Sequence, residues 1–194
     1  MGTCGTWRPQ TSGRTRGPDA RTVDADFTVT VSDLLRDDID VAIRAGTTLP
    51  PSMYAKRLTT LRQVCCASSD YLAGAEDIPH PRALGQHPVL AYGPASGATR
   101  WRFEGGCEQF QVEVQPRLRS DSSGLAKHAC LAGQGVLRIP RFAVQDELSS
   151  GALVEVCGDW RQPEVPLWAI YPSRSDQNPA VAALLTVLKA HLDG

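Results

Sequence analysis

Two short stretches have the hydrophobic pattern of β-strands and mark the start of the ordered part of the chain. In the segment DFTVTVS, Phe27, Val29 and Val31 alternate with threonines, which is the period of a strand with one buried face. In the segment IDVAIRAG, residues 39–46, apolar side chains occur on both faces, as in a strand covered by helices on both sides. This second strand is expected to end at Arg44, before a turn at Gly46.

Strand-like and helix-like segments alternate through the rest of the chain. The pattern predicts the following order of elements: strand character over 54–68, a short helix in SSDYLAG capped by Ser68 or Ser69, a strand over 88–93, a hairpin with arms 100–104 and 109–114 turned by Gly105 and Gly106, a helix over 122–132, a strand in VLRIP, a helix in RFAVQDELSSG, and strands in ALVEVCG and VPLWAIYPS. This alternation predicts an α/β protein with largely parallel sheets.

The last helix has the clearest boundary and apolar face. Asn178 is suited to the N-cap and Pro179 to the first turn. An apolar face at helical spacing follows, formed by Val181, Leu184, Leu185, Leu188 and Leu192. The helix over 122–132 is expected to be capped by Asp121 or Ser122 and to end at Gly133 and Gly135.

Composition narrows the functional classes. The chain has 194 residues, 42% of them hydrophobic, and 20 basic against 21 acidic side chains, so no overall charge favours nucleic acid or an anionic membrane. No apolar run is long enough to span a membrane, and the first residues lack the apolar core of a secretion signal. Residues 1–23 are rich in Gly, Thr, Arg and Pro without apolar periodicity, which predicts a disordered tail.

The cysteines and histidines do not suggest a metal site or a cofactor. None of the six cysteines lies in a CxxC pair, and the four histidines have no ligand spacing, so we expect reduced thiols in a cytoplasmic protein. Cys65 and Cys66 are adjacent on a predicted strand, so their side chains point to opposite faces and one is expected in the core. No nucleophile motif or phosphate loop occurs, which argues against an enzyme.

Several stretches, taken in order, resemble a known family. They are IDVAIRAG, LRQVCCASSDYLA, HPVLAYG, WRFEGG, the region from RLRSDSSGLAKHACLAGQGVLRIP to GALVEV, and the C-terminal LWAIYPSRSDQNPAVAALLTVLKAHL. Together they resemble the effector-binding (substrate-binding) region of LysR-type transcriptional regulators, over residues 24–194. LAGQGVLRIP, followed by a short helix and GALVEV, is the most telling part.

The resemblance implies a bilobal α/β fold of the type 2 periplasmic-binding-protein kind. Lobe I would comprise residues 24–62 and 166–194, lobe II residues 63–165, with two crossover strands and a small effector between the lobes. The family reads DNA through an N-terminal helix-turn-helix, which we expect to be absent here. Also expected to be absent are the first strand and helix of lobe I. In the family that strand lies between the strands matching FTVTV and DVAIR. Its absence would leave a gap at this position, so FTVTV is expected to pair directly with DVAIR, to pair with another chain or to stay unpaired.

In lobe I, the resemblance and strand-end logic indicate three candidate effector-binding residues. Arg44 and Gly46 end a strand, and ligands bind at the carboxyl ends of strands in such sheets; Arg44 would bind an acidic effector. The alternative is a solvated arginine and a turn glycine. Ser32 ends the preceding strand, where the family often has a hydroxyl that contacts effector; the alternative is a helix cap.

Five further candidates are implied in lobe II and on the second crossover. Ser120, Asp121 and Ser122 precede a helix N-terminus, which suits a carboxylate, although capping alone would explain them and Asp121 would repel an anion. Pro140 lines the effector cleft in the family, but it also ends a strand. Trp168 could stack on an aromatic effector or pack in the core.

These features favour an effector-sensing domain that binds a small organic acid or aromatic compound to control transcription. The alternatives are a truncated protein that pairs with full-length regulators, a non-functional gene fragment and, least favoured, an enzyme or solute-binding protein on the same frame. Homo-oligomers are compatible with each. We expect no membrane association.

Overall fold

The computed structural model describes residues 4–10, 22–28, 40–46, 53–93, 99–171 and 179–192. The chain divides into two compact units, Met1–Thr60 with Pro166–Gly194, and Leu61–Val165. The lobe boundaries expected from the sequence lie at 62/63 and 165/166. The first unit is called unit 1 below and the second unit 2.

Unit 1 is built on a five-stranded sheet in the order β2-β1-β3-β12-β4. Its elements are β1 (Cys4–Gln10), β2 (Thr22–Thr28), β3 (Val41–Ala45), β4 (Tyr54–Leu61), β12 (Val165–Tyr171) and helix α4 (Pro179–Leu192). The apolar face expected for α4 is present, because Val181 and Leu185 are buried and Leu184, Leu188 and Leu192 are partly buried.

Strand β1 contradicts two expectations from the sequence. It lies within the predicted disordered tail, so that prediction is wrong for Cys4–Gln10. It also occupies the sheet position between β2 and β3, where a gap was expected, and it pairs with both neighbours in antiparallel register. The physical reason is that main-chain pairing along two edges stabilises this strand, whereas apolar alternation, the signal used in the sequence, is weak here.

Unit 2 contains a five-stranded sheet in the order β11-β5-β10-β6-β9 and a separate two-stranded hairpin. The strands are β5 (Gln63–Ser68), β6 (Val89–Tyr92), β7 (Thr99–Gly105), β8 (Glu108–Val114), β9 (Pro116–Ser120), β10 (Val136–Pro140) and β11 (Leu153–Val156). The helices are α1 (Ser69–Ala73), α2 (Ser123–Leu131) and α3 (Gln145–Ser150), with 3₁₀-helices at Pro81–Gln86 and Arg141–Val144.

The prediction of largely parallel sheets is wrong. Among the pairings that the structure describes with a direction, only β10 with β6 and β6 with β9 are parallel. Strand β5 brings the chain into unit 2 and pairs antiparallel with β10 and β11. Alternation of helices and strands along the sequence does not carry this information, because strand direction depends on which distant strands become neighbours.

Both faces of the unit 2 sheet are covered by apolar groups. Cys65 belongs to one core cluster, which includes Trp101 and Phe103 of the hairpin. Cys66 belongs to the other cluster, which includes Ala126 and Cys130 of α2. Both adjacent thiols are therefore buried, on opposite faces, and not one alone.

The hairpin forms as predicted, with a shift of one residue at the turn. Gly105 still pairs with Glu108, so Gly106 and Cys107 form the turn, and Gly106 has φ of 59°. The Trp160 ring packs against Gly105 so closely that a side chain would not fit there. A Cβ built on Gly105 would lie 2.8 Å from Trp160 Cε3. Gly106 is thus required by the turn, and Gly105 is required by the packing of the Trp160 ring.

Candidate functional site

In unit 1, the end of β3 brings together three of the predicted site residues. Strand β3 pairs antiparallel with β12, and Arg44 lies directly opposite Trp168. Directly opposed residues project to the same face of a sheet. Arg44 and Trp168 therefore share one face at the carboxyl end of β3, beside Gly46.

Gly46 forms a fixed turn. Its N–H donates to the Pro166 carbonyl at 3.0 Å, and its carbonyl accepts from the indole N–H of Trp168 at 2.9 Å. Its φ of 140° is a conformation that side chains other than hydrogen rarely adopt. The turn therefore holds the partly buried Trp168 ring in a fixed position beside Arg44.

Arg44 is a buried charged residue of unit 1. It is only 8% exposed, yet among the described residues it forms no ion pair or hydrogen bond. The sequence-based alternative of a solvated arginine is thus wrong, since the residue is buried. A buried guanidinium needs an anionic or hydrogen-bonding partner to offset its lost hydration. Ser32, the other candidate of this unit, lies outside the described residues.

In unit 2, the candidates Ser120, Asp121 and Ser122 lie between β9 and α2. Ser120 Oγ accepts from the Ser122 N–H at 3.0 Å, and Ser122 Oγ accepts from the Leu125 N–H at 3.3 Å. Ser122 is therefore the N-cap, which decides between the two predicted caps, and Asp121 is exposed. Both hydroxyls already stabilise the turn and can still contact a ligand through their second lone pair.

Pro140 lies near the same edge of the unit 2 sheet. Strands β10, β6 and β9 run parallel, so Pro140, Tyr92 and Ser120 end them at one edge. Gly93, with φ of 127°, donates its N–H to the Ser120 carbonyl at 2.9 Å and closes this edge between β6 and β9. Pro140 is buried. Carboxyl edges of this kind are where ligands bind in open α/β sheets.

Sequence reasoning missed a polar group at this edge, on the central strand β10. Arg138 lies opposite Cys65 of β5 and alongside Ala91 of β6, so these three residues share one face. Its guanidinium carbon lies 5.6 Å from the centroid of the Trp101 ring. Among the described residues Arg138 forms no salt bridge, and burial lowers the pKa of its guanidinium. The signal in the sequence was a charged residue in the middle of the apolar strand VLRIP.

Gln162 lies next to the same thiol. Its Nε2 donates to Cys65 Sγ at 3.4 Å, and its Oε1 is buried without a hydrogen-bond partner among the described residues. Burial raises the pKa of Cys65 to about 12, so the sulfur is a neutral thiol. We call Cys65, Arg138 and Gln162 the Cys65 cluster.

The described residues give little support for other kinds of functional site. Within the described ranges, no group of three His, Cys, Asp or Glu side chains could hold a metal ion. No helix in this part of the chain is long and apolar enough to cross a membrane. A groove of about 650 Å³ lies between β4 and α4 in unit 1, but it contains none of the predicted site residues.

Comparisons with known protein families and proteins agree on the family to which this chain is related. The profile of the LysR substrate binding domain matches residues 20–193. The chain is 31% identical to the HTH-type transcriptional regulator PtxR of Pseudomonas aeruginosa, over 83% of this chain and 52% of that protein. It is 29% identical to the HTH-type transcriptional activator TtdR of Escherichia coli K12, over 72% of this chain and 45% of that protein.

Among solved structures, the fold is similar to the regulatory domain of CrgA, a LysR-type transcriptional regulator from Neisseria meningitidis. The TM-score is 0.74 at 22% identity, covering 85% of this chain and 81% of that one. The chain spans about half the length of the curated relatives it matches.

Proposed function

Because this chain belongs to the LysR substrate binding domain family, we propose that it senses a small organic acid whose carboxylate pairs with Arg44. The observation that carries the proposal is the burial of this guanidinium without an acidic partner among the described residues. The relatives are named as HTH-type transcriptional regulators, and we propose that acid binding is the signal through which this domain controls transcription.

The charge balance at Arg44 supports an anionic ligand. A buried charge left unpaired costs several kcal/mol. A ligand carboxylate would accept two parallel hydrogen bonds from the guanidinium fork and offset this cost. The fixed Trp168 ring on the same face would contact the apolar part of the acid, and the turn at Gly46 leaves open space, since a Cβ built on it meets no atom within 4 Å.

Substituting Arg44 distinguishes a ligand-binding arginine from a structural one. If Arg44 awaits a ligand, Arg44→Met should leave the ligand-free protein equally stable or more stable, because it removes an unpaired buried charge. If Arg44 has a permanent partner in the protein, the same change should cost about 3–5 kcal/mol. Urea unfolding of the purified chain measures this difference.

Binding is tested on the same variant. A thermal-shift screen of organic acids should identify ligands that stabilise the native chain, and Arg44→Met should weaken their binding by roughly ten- to a hundredfold. The control is Arg100→Met, an exposed arginine on β7 that pairs with Glu113 at the surface. Stabilisation by acids that persists unchanged in Arg44→Met would refute the proposed site.

A further inference from the structure

We propose that the groove between β4 and α4 binds an extended acidic segment of a partner protein, which adds a strand to the edge of the unit 1 sheet. This groove, called the β4 groove below, has a volume of about 650 Å³, and all of its lining residues belong to unit 1. Arg44 lies on β3, which β12 separates from β4 in the sheet. The inference therefore goes beyond the proposed function and does not depend on it.

The β4 groove runs along the edge of the sheet. Consecutive residues of β4, from Tyr54 to Leu58, all line it. Successive side chains of a strand point to opposite faces, so a groove that touches every one of them follows the edge of the strand and not one face. Strand β4 is the last in the order β2-β1-β3-β12-β4, so among the described residues this edge has no neighbouring strand. Its main chain can therefore pair with an added strand.

The charges around the groove have one sign. Lys56 and Arg57 of β4 and Lys189 of α4 line it and are exposed, and none of its lining residues is acidic. The described part of unit 1 has its acidic side chains elsewhere, on β2 at the opposite edge of the sheet and just before β3: Asp24, Asp26 and Asp40. Three cations without an acid between them favour a partner that carries carboxylates.

The apolar lining and the length of the groove describe the rest of the partner. Buried side chains form part of the wall, namely Leu58, Tyr171 and Leu185. On α4 the lining residues Ala182, Thr186 and Ala190 are small and four positions apart, so they form one row about 12 Å long. An extended chain rises about 3.3 Å per residue, so about four residues fit. Acidic and apolar residues in alternation would meet both the cations and the apolar wall.

Two other occupants fit these features less well. Pairing between the β4 edges of two copies of this chain would bring Lys56 and Arg57 of one copy against the same cations of the other, and like charges across a strand pair are destabilising. A nucleic acid would satisfy the cations, but it has no peptide groups to pair with the strand edge. An acidic extended peptide satisfies both the charges and the edge.

The test uses a fluorescein-labelled peptide with three Glu-Val repeats and the full chain, at low salt because exposed charges are screened. Fluorescence anisotropy should show that this peptide binds at least about tenfold more tightly than a peptide with three Lys-Val repeats. Lys56→Glu and Lys189→Glu should each weaken binding about fivefold, since each removes an attraction and adds a repulsion at the surface. Amide hydrogen exchange in Tyr54–Leu58 should slow when the Glu-Val peptide is bound.

Two controls separate strand addition from attraction by charge alone. Arg117→Glu reverses an exposed cation on β9, which is an edge strand of the unit 2 sheet, and should leave binding unchanged. Two further peptides carry N-methyl groups either on the Glu amides or on the Val amides. Only one edge of an added strand faces β4, so one of these peptides should bind at least about tenfold more weakly and the other should bind almost as the parent does.

Several results would overturn the inference. One is equal binding of the Glu-Val peptide by the native chain, Lys56→Glu and Lys189→Glu. Another is equal binding of both N-methylated peptides and the parent, which would exclude main-chain pairing. Displacement of the peptide by hexathymidylate at a similar concentration would show that the cations recognise negative charge in general. Arg44→Met should bind the peptide as the native chain does, so failure here leaves the proposed acid site untouched.

Discussion

Gly135 is the position where the smallest change should have the largest effect on unit 2. It precedes β10 with φ of 135°, and a Cβ added there would lie 2.2 Å from the Pro88 carbonyl oxygen and 2.8 Å from the carbonyl carbon. That same carbonyl accepts the N–H of Val136 at 2.9 Å. A methyl group must therefore displace backbone, and the displacement also breaks a hydrogen bond at the start of the strand that carries Arg138.

The expected cost of Gly135→Ala has two parts. The positive φ costs about 1–3 kcal/mol for a residue other than glycine. The steric conflict adds about 1–3 kcal/mol, because the obstructing atoms belong to the backbone and not to a flexible side chain. Gly93→Ala isolates the first part, since Gly93 has a similar φ of 127° but no atom within 4 Å of the added Cβ. Gly85→Ala, without either feature, should be neutral or slightly stabilising.

Urea unfolding followed by tryptophan fluorescence measures the three free energies of unfolding. Trp101 in unit 2 is 2% exposed, so its emission changes when this unit unfolds. The order of stability should be Gly85→Ala above Gly93→Ala above Gly135→Ala, with a gap of at least about 1 kcal/mol between the last two. Equal values for Gly93→Ala and Gly135→Ala would refute the steric argument and the position of Pro88 on which it depends.

Two other predictions concern a thiol and the first strand. The pKa of Cys65 is raised from 9.0 to about 12 by burial, so its contribution to stability is complete below pH 9 and is lost as the pH rises toward 12. Near pH 11 the loss should be about 2–3 kcal/mol, and Cys65→Ala should unfold with a correspondingly weaker dependence on alkaline pH. Deleting residues 1–21 removes β1, so the amides of β3 should exchange hydrogen at least about tenfold faster and the chain should self-associate through the uncovered edge; unchanged exchange in β3 would contradict the pairing.

Local signals in the sequence were sufficient for much of unit 2. The cap at Ser122, the α2 helix that it starts, and the two arms of the hairpin depend on neighbouring residues, so pattern and capping chemistry predicted them. The pairing of β1 depends on residues about 20 and 35 positions away, and its own sequence, CGTWRPQ, lacks the alternation of a strand. For this reason composition led to the wrong prediction.

For the candidate site, the sequence indicated which strand end to consider but not the electrostatics there. The end of the DVAIR strand identified Arg44 as a candidate. Its burial without an acidic neighbour could not be inferred, because this depends on which side chains the fold brings close. Arg138 and Gln162 are 24 residues apart in sequence and meet only through Cys65, which lies a further 73 residues before Arg138. No local pattern contains that arrangement.

The position of β5 between β10 and β11 also constrains how the protein is made. Gln63–Ser68 is the first strand of unit 2 to leave the ribosome, but both of its partners lie in residues 136–156. At ordinary rates of synthesis, about 5–20 s pass before the second partner is translated. During this time Val64, Cys65, Cys66 and Ala67, all buried in the folded protein, have no sheet to enter. The nascent chain therefore passes through an interval in which this segment depends on chaperones, or on low local concentration, to avoid pairing with another chain.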